Sequence, residues 1–323
     1  MATADQIKSL IRSYYDANQD QFLTTALQIA AHEARQGHGA LAHEIRELID
    51  KVKNEASQKR NLIFPQDLNG LIFSEDPSTK FSSLVVSETL KGRIERIISE
   101  FRQQTKLKQH GLLHRRKILL SGAPGTGKTM TARVLASELH QLLHVIQMDR
   151  LVTKFMGETS AKLRQIFEKI REMPGIYLFD EFDAIGGERN LGNDVGEMRR
   201  VLNSFLQFIE NDTSNNIILA VTNNQTLLDR ALFRRFDDIL HFELPALESR
   251  TKLIANILGT FAENEFPFES MAKEAEGLSQ AEIDRVCRDA IKMTILENKN
   301  HVAVELLQRL LKERHLAYDS KKK

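Results

Sequence analysis

The sequence predicts an α/β fold in which helices flank a parallel sheet, with a small helical bundle before the sheet and an all-helical unit after it. Short apolar segments alternate with longer helical stretches in residues 86–247, as in parallel sheets buried on both faces. Strand candidates end near residue 248, and residues 4–56 show only helical spacing. We therefore expect an N-terminal helical interaction domain, a linker, an α/β unit and a helical unit, at residues 1–58, 59–85, 86–247 and 248–323.

The N-terminal part is predicted to form three short helices. Apolar residues keep helical spacing in three groups, which are separated first by Asn18 and Asp20 and then by Gly37 and Gly39. Three such helices are enough for a small antiparallel bundle. The stretch that follows contains proline, glycine and serine residues, a composition typical of a linker.

The α/β unit contains five short apolar segments that are candidates for strands. They are Ile118–Leu120, His144–Met148, Ile176–Phe179, Ile217–Val221 and Ile239–Phe242. Helical stretches separate the first four of these segments, which is the arrangement that joins parallel strands. The remaining C-terminal sequence shows helical spacing only.

Charge and cysteine content exclude several classes of protein. The 323 residues include 45 Lys and Arg against 44 Asp and Glu, so no overall field would gather nucleic acid or an anionic membrane. Cys287 is the only cysteine, which excludes an intrachain disulfide and suits a reducing compartment. The sequence has no signal-peptide pattern and no apolar run long enough to span a bilayer. We expect a cytoplasmic protein without a membrane partner.

The segment after the first strand candidate has the pattern G-x-x-x-x-G-K-[ST], placed between a strand and a helix. Its residues are Gly122, Ala123, Pro124, Gly125, Thr126, Gly127, Lys128 and Thr129. Glycines let backbone amides curl around phosphate groups, and the following helix adds the positive end of its dipole. Lys128 is expected to reach the β- and γ-phosphates, and the Thr129 hydroxyl to bind Mg²⁺. The pattern predicts a site for ATP and Mg²⁺.

Two acidic residues follow the third strand candidate directly. Asp180 and Glu181 come after Ile176–Phe179, so both are expected at the carboxyl edge of the sheet beside the phosphates. Asp180 is a candidate to hold Mg²⁺ through its water shell. Glu181 is a candidate to polarise the attacking water.

Taken in order, these motifs resemble those of the AAA+ ATPases, in the branch that remodels proteins, over about residues 80–315. The resemblance implies a P-loop nucleotide-binding subdomain at 86–247, a helical lid at 248–323, and Mg²⁺-dependent ATP hydrolysis by a homo-oligomeric ring of six subunits. The strand candidate Ile217–Val221 is similar to the family strand that ends in a sensor asparagine. That role, which places the lytic water, falls to Asn223, with Asn224 as a close alternative.

The segment Leu228–Asp237 resembles the arginine-finger segment of the same family. The resemblance implies that the neighbouring subunit supplies this arginine, which stabilises negative charge on the transferring phosphoryl group. Many members have residues between the two arginines of the segment, whereas Arg234 and Arg235 are adjacent here. Which of the two contacts the γ-phosphate stays open.

The helical unit resembles the family lid. Its segment Gly277–Ile283 matches the part that packs near adenine, and the stretch around Val85 and Val86 is a further candidate for the adenine pocket. No arginine matches the second sensor that some branches carry.

The segment Lys154–Thr159 resembles the first pore loop of the family. Phe155 and Met156 are the substrate-pore candidates, since an aromatic ring and a flexible thioether can grip varied polypeptides. The alternative is that Phe155 packs in the core ahead of the next helix. Gly186–Asn193 resembles a second pore loop, with an ordinary surface loop as the alternative.

Two kinds of function are consistent with these motifs. The first is a motor that threads or remodels protein substrates, and the second is an ATP-gated switch or scaffold that activates a partner without threading. Only threading requires Phe155. A nucleic-acid translocase is less favoured, because no platform of aromatic and basic residues is present. The whole chain also resembles the AAA+ component of bacterial two-gene anti-phage systems, which implies a subtilisin-like serine protease as partner.

Overall fold

The computed structural model describes residues 8, 19–47, 49, 64, 68, 70–154, 157–186, 194–223 and 234–319. The chain forms two compact units, Met1–Ile63 and Phe64–Lys323. The second unit contains both the sheet and the helical part, and the four-part division of the sequence stays a prediction.

The first unit contains helix α1, Gln19–Arg35, and a further helical segment at residues 39–47. The chain turns between them at Gly37, whose φ of 86° lies in the left-handed region that glycine adopts without strain. Beside this turn, His38 Nδ1 lies 2.7 Å from the buried carboxylate of Glu33. The first of the three predicted helices lies outside the described residues, apart from residue 8.

The second unit contains a six-stranded sheet, which confirms the predicted parallel sheet flanked by helices and adds one antiparallel strand at its edge. The strands are β1 Ile72–Glu75, β2 Lys117–Gly122, β3 Leu143–Gln147, β4 Ile176–Asp180, β5 Ile217–Thr222 and β6 Asp238–Phe242. Their spatial order is β1-β3-β4-β5-β2-β6, and every neighbouring pair is parallel except β1 with β3. The five apolar segments identified in the sequence correspond to β2–β6, with ends that differ by at most two residues.

Strand β1 was absent from the predicted strands and lies inside the range predicted as a linker. It runs antiparallel to β3, with Ile72 opposite Ile146 and Glu75 opposite Leu143. Only Ile72 among its four residues is buried. An edge strand with a single buried residue has neither an apolar run nor a clear alternation, so the sequence pattern did not reveal it.

Helices flank the sheet. The helices of this α/β part are α2 Glu88–Arg102, α3 Gln104–Gln109, α4 Lys128–Glu138, α5 Met148–Lys154, α6 Thr159–Glu172, α7 Asp183–Gly186 and α8 Asp194–Asn211. One apolar core joins Ile94 and Leu135 to β2 through Ile118 and Leu120, all fully buried or nearly so. Elsewhere the ring of Phe179 packs against Phe167 and Phe205, with centroids 5.6 and 5.0 Å apart.

The C-terminal part of the second unit is all helical and has its own core. Its helices are α9 Leu247–Leu258, α10 Phe268–Glu274, α11 Gln280–Leu296 and α12 Val304–Asp319. Fully buried residues of this core include Met271, Cys287 and Leu307, and Val85 packs against them. Among the described residues, no helix combines the length and apolarity needed to cross a lipid bilayer.

Candidate nucleotide-binding site

The sheet brings three of the predicted motifs to one edge. The phosphate loop follows β2, Asp180 ends β4, and Asn223 follows β5. These strands are adjacent and parallel, with Ser121 opposite Thr222 in the register of β2 and β5. The carboxyl ends of parallel strands meet at the same edge, where ligands of open α/β sheets bind.

The phosphate loop has a backbone shape that only glycine allows at two positions. At Gly122, an added Cβ would lie 2.0 Å from the carbonyl oxygen of Phe242, which is far inside contact distance. At Gly127, the residue before helix α4, φ is 97°. The Thr126 hydroxyl donates a hydrogen bond of 2.7 Å to the Ala123 carbonyl oxygen and so closes the loop on itself. Such a loop aims backbone amides at an anion.

The side chain of Lys128 folds back into the phosphate loop. Its Nζ donates to the carbonyl oxygens of Gly122 and Ala123, at 2.8 and 2.7 Å. Burial lowers the pKa of Lys128 to about 8, although the nearby carboxylates of Asp183 and Asp180 act to raise that pKa. The amine is therefore held where phosphate groups would lie, in a place where an added anion favours its charged form.

The acidic pair lies at the end of β4. Burial raises the pKa of Asp180, which is half-buried and receives a 2.9 Å hydrogen bond from the amide of Glu181. Glu181 has a φ of 54°, which is uncommon for a residue with a side chain and turns it away from the strand direction. Partial burial raises the pKa of Glu181 first, and the carboxylates of Asp149, Asp180 and Asp183 raise it further. The Glu181 carboxylate is therefore a stronger proton acceptor than an isolated one.

Asp183 is a site residue that the sequence reasoning did not single out. Its Oδ1 accepts a hydrogen bond of 3.2 Å from the backbone amide of Asn223, and so joins the segment after β4 to the end of β5. Its signal in the sequence was the third acid of the run Asp180-Glu181-Phe182-Asp183. Asn224, the alternative to Asn223, lies outside the described residues.

The helical part packs directly on the phosphate loop. The amide of Ala281, in the first turn of α11, donates a 3.0 Å hydrogen bond to the carbonyl oxygen of Gly125. A Cβ at Gly125 would lie 2.6 Å from the Ser279 hydroxyl, so the two segments are in close contact. Helix α11 begins with a capping box in which Ser279 and Glu282 hold each other's backbone amides.

A cavity of about 390 Å³ adjoins this contact. Its lining includes Val86, Thr126, Phe242, Pro245 and Gln280. The side-chain oxygen of Gln280 is buried and has no hydrogen-bond partner within the described part of the chain. Val86 and Gln280 thus line a space next to the phosphate loop in which Gln280 offers a polar group, and the adenine role of the stretch around Val86 stays a prediction.

Comparisons with known proteins identify the family. Residues 118–244 match the family described as "ATPase family associated with various cellular activities (AAA)". An uncharacterised AAA family ATPase of Sinorhizobium fredii, y4kL, is 34% identical over 330 residues, which cover 97% of this chain and 96% of that protein. The chain belongs to the AAA family of ATPases.

Other relatives of this AAA ATPase match less of their own length. A proteasome-activating nucleotidase of Saccharolobus islandicus is 33% identical over 72% of this chain and 64% of its own. The ATP-dependent zinc metalloprotease FtsH of Mycoplasma mobile is 30% identical over 70% of this chain and 33% of its own. Membership of the family makes the chain an ATP-binding protein that hydrolyses ATP.

The arginine pair of this AAA ATPase lies away from its own phosphate loop. Arg235 Nε is 2.8 Å from Glu210 Oε2 near the end of α8, and Asp237 contacts the residues at the start of β2. The phosphate loop follows the other end of β2, whose six residues span about 17 Å at the usual rise per residue. The structure therefore does not bring Arg234 and Arg235 together with the other predicted site residues.

Both substrate-pore candidates, Phe155 and Met156, lie outside the described residues. The structure describes what flanks them, the end of α5 before and Gly157 after, with α6 starting at Thr159. Most of the predicted second pore loop also lies outside the described residues. Pore roles for these segments stay predictions.

Proposed function

We propose that this AAA ATPase works as a homo-oligomeric ring, with six subunits, in which Arg234 and Arg235 complete the nucleotide site of the adjacent subunit. The observation that supports this most is the position of the pair near the amino end of β2, while the subunit's own phosphate loop lies at the carboxyl end. An arginine side chain is much shorter than this strand. A second subunit is needed to place an arginine beside the γ-phosphate, where negative charge must be stabilised.

Within one subunit we assign the remaining roles from the geometry of the carboxyl edge. Lys128 and the amides of the phosphate loop bind the β- and γ-phosphates. Glu181 accepts a proton from the attacking water, and Asn223, whose amide is tied to Asp183, orients that water. The lid segment around Gln280 and the stretch around Val86 enclose the adenine base.

The residues present fit a Mg²⁺ ion that arrives with the nucleotide. The carboxylates of Asp149, Asp180 and Asp183 raise the pKa of Glu181, so negative charges at this edge repel one another and a cation would relieve the repulsion. Thr129 in the first turn of α4 and Asp180 supply the oxygen ligands that Mg²⁺ prefers. Bound Mg²⁺ would offset charge on the phosphate oxygens, with Thr129 and Asp180 holding it.

We further propose a protein as the substrate and a protease as the partner. Two relatives support this through their names, a proteasome-activating nucleotidase and an ATP-dependent zinc metalloprotease. On this proposal Phe155 and Met156 grip the substrate in the axial pore. The resemblance of the whole chain to two-gene anti-phage systems supports a subtilisin-like serine protease, encoded separately, as the partner in defence against phage.

Mixing two inactive variants tests the ring. The Arg234→Ala/Arg235→Ala protein keeps an intact phosphate loop, and the Lys128→Ala protein keeps intact arginines, so a mixed ring contains some complete sites. We expect hydrolysis by the mixture to exceed the sum of the separate proteins, and wild-type turnover per subunit to rise with protein concentration as rings assemble. Absence of any gain, in oligomers shown to contain both variants, would mean that the arginines do not act on the site of the adjacent subunit.

A further inference from the structure

We propose that Asp237 is a positioning residue that fixes the arginine pair to the amino end of β2. The inference rests on the proposed function, in which Arg234 and Arg235 act on the site of the adjacent subunit. It adds a residue that lies at the start of β2, away from the subunit's own phosphate loop, and on which the placement of both arginines depends.

Asp237 holds the start of β2 through its side chain and its backbone. Its Oδ2 accepts hydrogen bonds from the amides of Arg116 and Lys117, both at 3.0 Å. Its own amide donates a 2.7 Å hydrogen bond to the carbonyl oxygen of Lys117. Asp237, two positions after Arg235, is thus bound through its carboxylate and its amide to the start of β2, a buried strand with a neighbour on each side.

The other anchors of the arginine pair within the described part of the chain are weaker or less specific. The Glu210 side chain that pairs with Arg235 is 57% exposed, and ion pairs between exposed side chains contribute little to stability. Phe236 is buried, and its apolar contacts are less directional than hydrogen bonds. Hydrogen bonds from amides to a carboxylate are both stronger and directional. Among the described contacts, the carboxylate of Asp237 is therefore the directional one that fixes the backbone next to the arginine pair.

Strand β2 gives this contact its importance. All of its residues up to Ser121 are buried, and it pairs with β5 on one side and β6 on the other. Its carboxyl end leads into the subunit's own phosphate loop. In each subunit, the two ends of this rigid strand then have different tasks. The carboxyl end leads to the site that binds the subunit's own nucleotide, and the amino end holds the arginines that act on the nucleotide of the adjacent subunit.

Variants of Asp237 separate positioning from a merely structural role. Asp237→Ala should lower the turnover number by at least about tenfold, because small displacements of a group that acts on a transition state are costly. Its ATP dissociation constant should stay within about twofold of wild type, since the phosphate loop is intact. Asp237→Asn keeps an oxygen acceptor for the two amides and should retain more activity. Asp238→Asn is the matched control, because that neighbouring carboxylate pairs with Arg93 and Arg115 instead of the β2 amides.

Two mixtures then decide the question. The first, Arg234→Ala/Arg235→Ala with Lys128→Ala, tests the proposed function alone. The second, Asp237→Ala with Lys128→Ala, tests the inference, since the Lys128→Ala subunits supply correctly placed arginines to sites on the Asp237→Ala subunits. We expect both mixtures to hydrolyse ATP faster than the sum of their parts.

The inference would be overturned, and the proposed function would stand, if hydrolysis increased in the first mixture but not in the second and Asp237→Ala bound ATP more weakly than wild type. Wild-type turnover by Asp237→Ala would overturn it as well. No gain in either mixture refutes action on the neighbour, and the inference with it. Should Asp237→Ala fail to fold, Asp237→Asn in the same mixtures gives the same decision.

Discussion

Replacing Gly125 by alanine should weaken ATP binding while leaving the fold intact. Gly125 has a φ of 76°, and a left-handed backbone costs a residue with a side chain roughly 1–2 kcal/mol. The added Cβ would also lie 2.6 Å from the Ser279 hydroxyl and 3.1 Å from the Ala281 methyl group, so the lid segment must shift. Both effects disturb the loop shape that the phosphates require.

The expected size follows from the strain. In the free protein, we expect an alanine at position 125 to move out of the left-handed conformation. ATP must then restore that conformation on binding. A cost of about 1.4 kcal/mol corresponds to a loss of about tenfold in affinity, and displacement of the lid adds to it.

Gly111 provides a matched control. Its φ is 72°, and an added Cβ would have no described atom within 4 Å. Gly111→Ala should therefore carry the same backbone strain, seen as a lower free energy of unfolding in urea, with ATP affinity unchanged. Titration of both variants with ATP measures the difference. Wild-type affinity in Gly125→Ala, or an equal loss in Gly111→Ala, would refute the reasoning.

Four further changes test other residues. Glu181→Gln should keep ATP affinity within about twofold and lower turnover by at least about a hundredfold, and near-normal hydrolysis would show that another residue is the base. Phe155→Ala should leave hydrolysis intact and abolish unfolding of a protein substrate; if hydrolysis and downstream activity both stay at wild-type level, threading is wrong and an ATP-gated scaffold is favoured. Gln280→Leu should reduce the preference for ATP over purine riboside triphosphate, which lacks the 6-amino group, by about threefold to tenfold, as for one neutral hydrogen bond. Burial lowers the pKa of His144 to about 4, so between about pH 7.5 and about pH 5 the unfolded chain binds a proton that the native state does not. The free energy of unfolding should therefore fall by about 2 kcal/mol over this range. That fall should be missing from His144→Asn, and an equal pH dependence in both proteins would contradict the assignment.

The strands that form the centre of the sheet could be located from the sequence, and β1 could not. Segments such as Ile176–Phe179 are buried on both faces, so every residue is apolar and the pattern is local. Strand β1 owes its conformation to pairing with β3, some 70 residues further along the chain, as the hydrogen-bond distance of 2.7 Å between Ser74 and His144 illustrates. Propensity within a four-residue window carries no information about such a partner.

The residues of the site also differ in whether the sequence alone could locate them. The phosphate loop and the pair Asp180-Glu181 were identified from spacing alone, because a strand, a tight turn and a helix place these groups without help from distant residues. The contact between Gly125 and Ala281 joins segments more than 150 residues apart in the sequence, and only the packed structure shows it. The hydrogen bond between Asp183 and Asn223 likewise depends on β4 and β5 lying side by side.

The sequence by itself determined the fold class and predicted the residues of the phosphate site, since both follow from local periodicity and from chemistry concentrated in short motifs. The tertiary structure decided where those residues stand relative to one another. Strand order carries Asp180 and Asn223 to the phosphate loop and leaves Arg234 and Arg235 near the opposite edge, bound through Asp237 to the start of β2. Strand order is set by long-range burial and pairing, which no local pattern encodes, and so the physical case for a second subunit at each site comes from the three-dimensional arrangement.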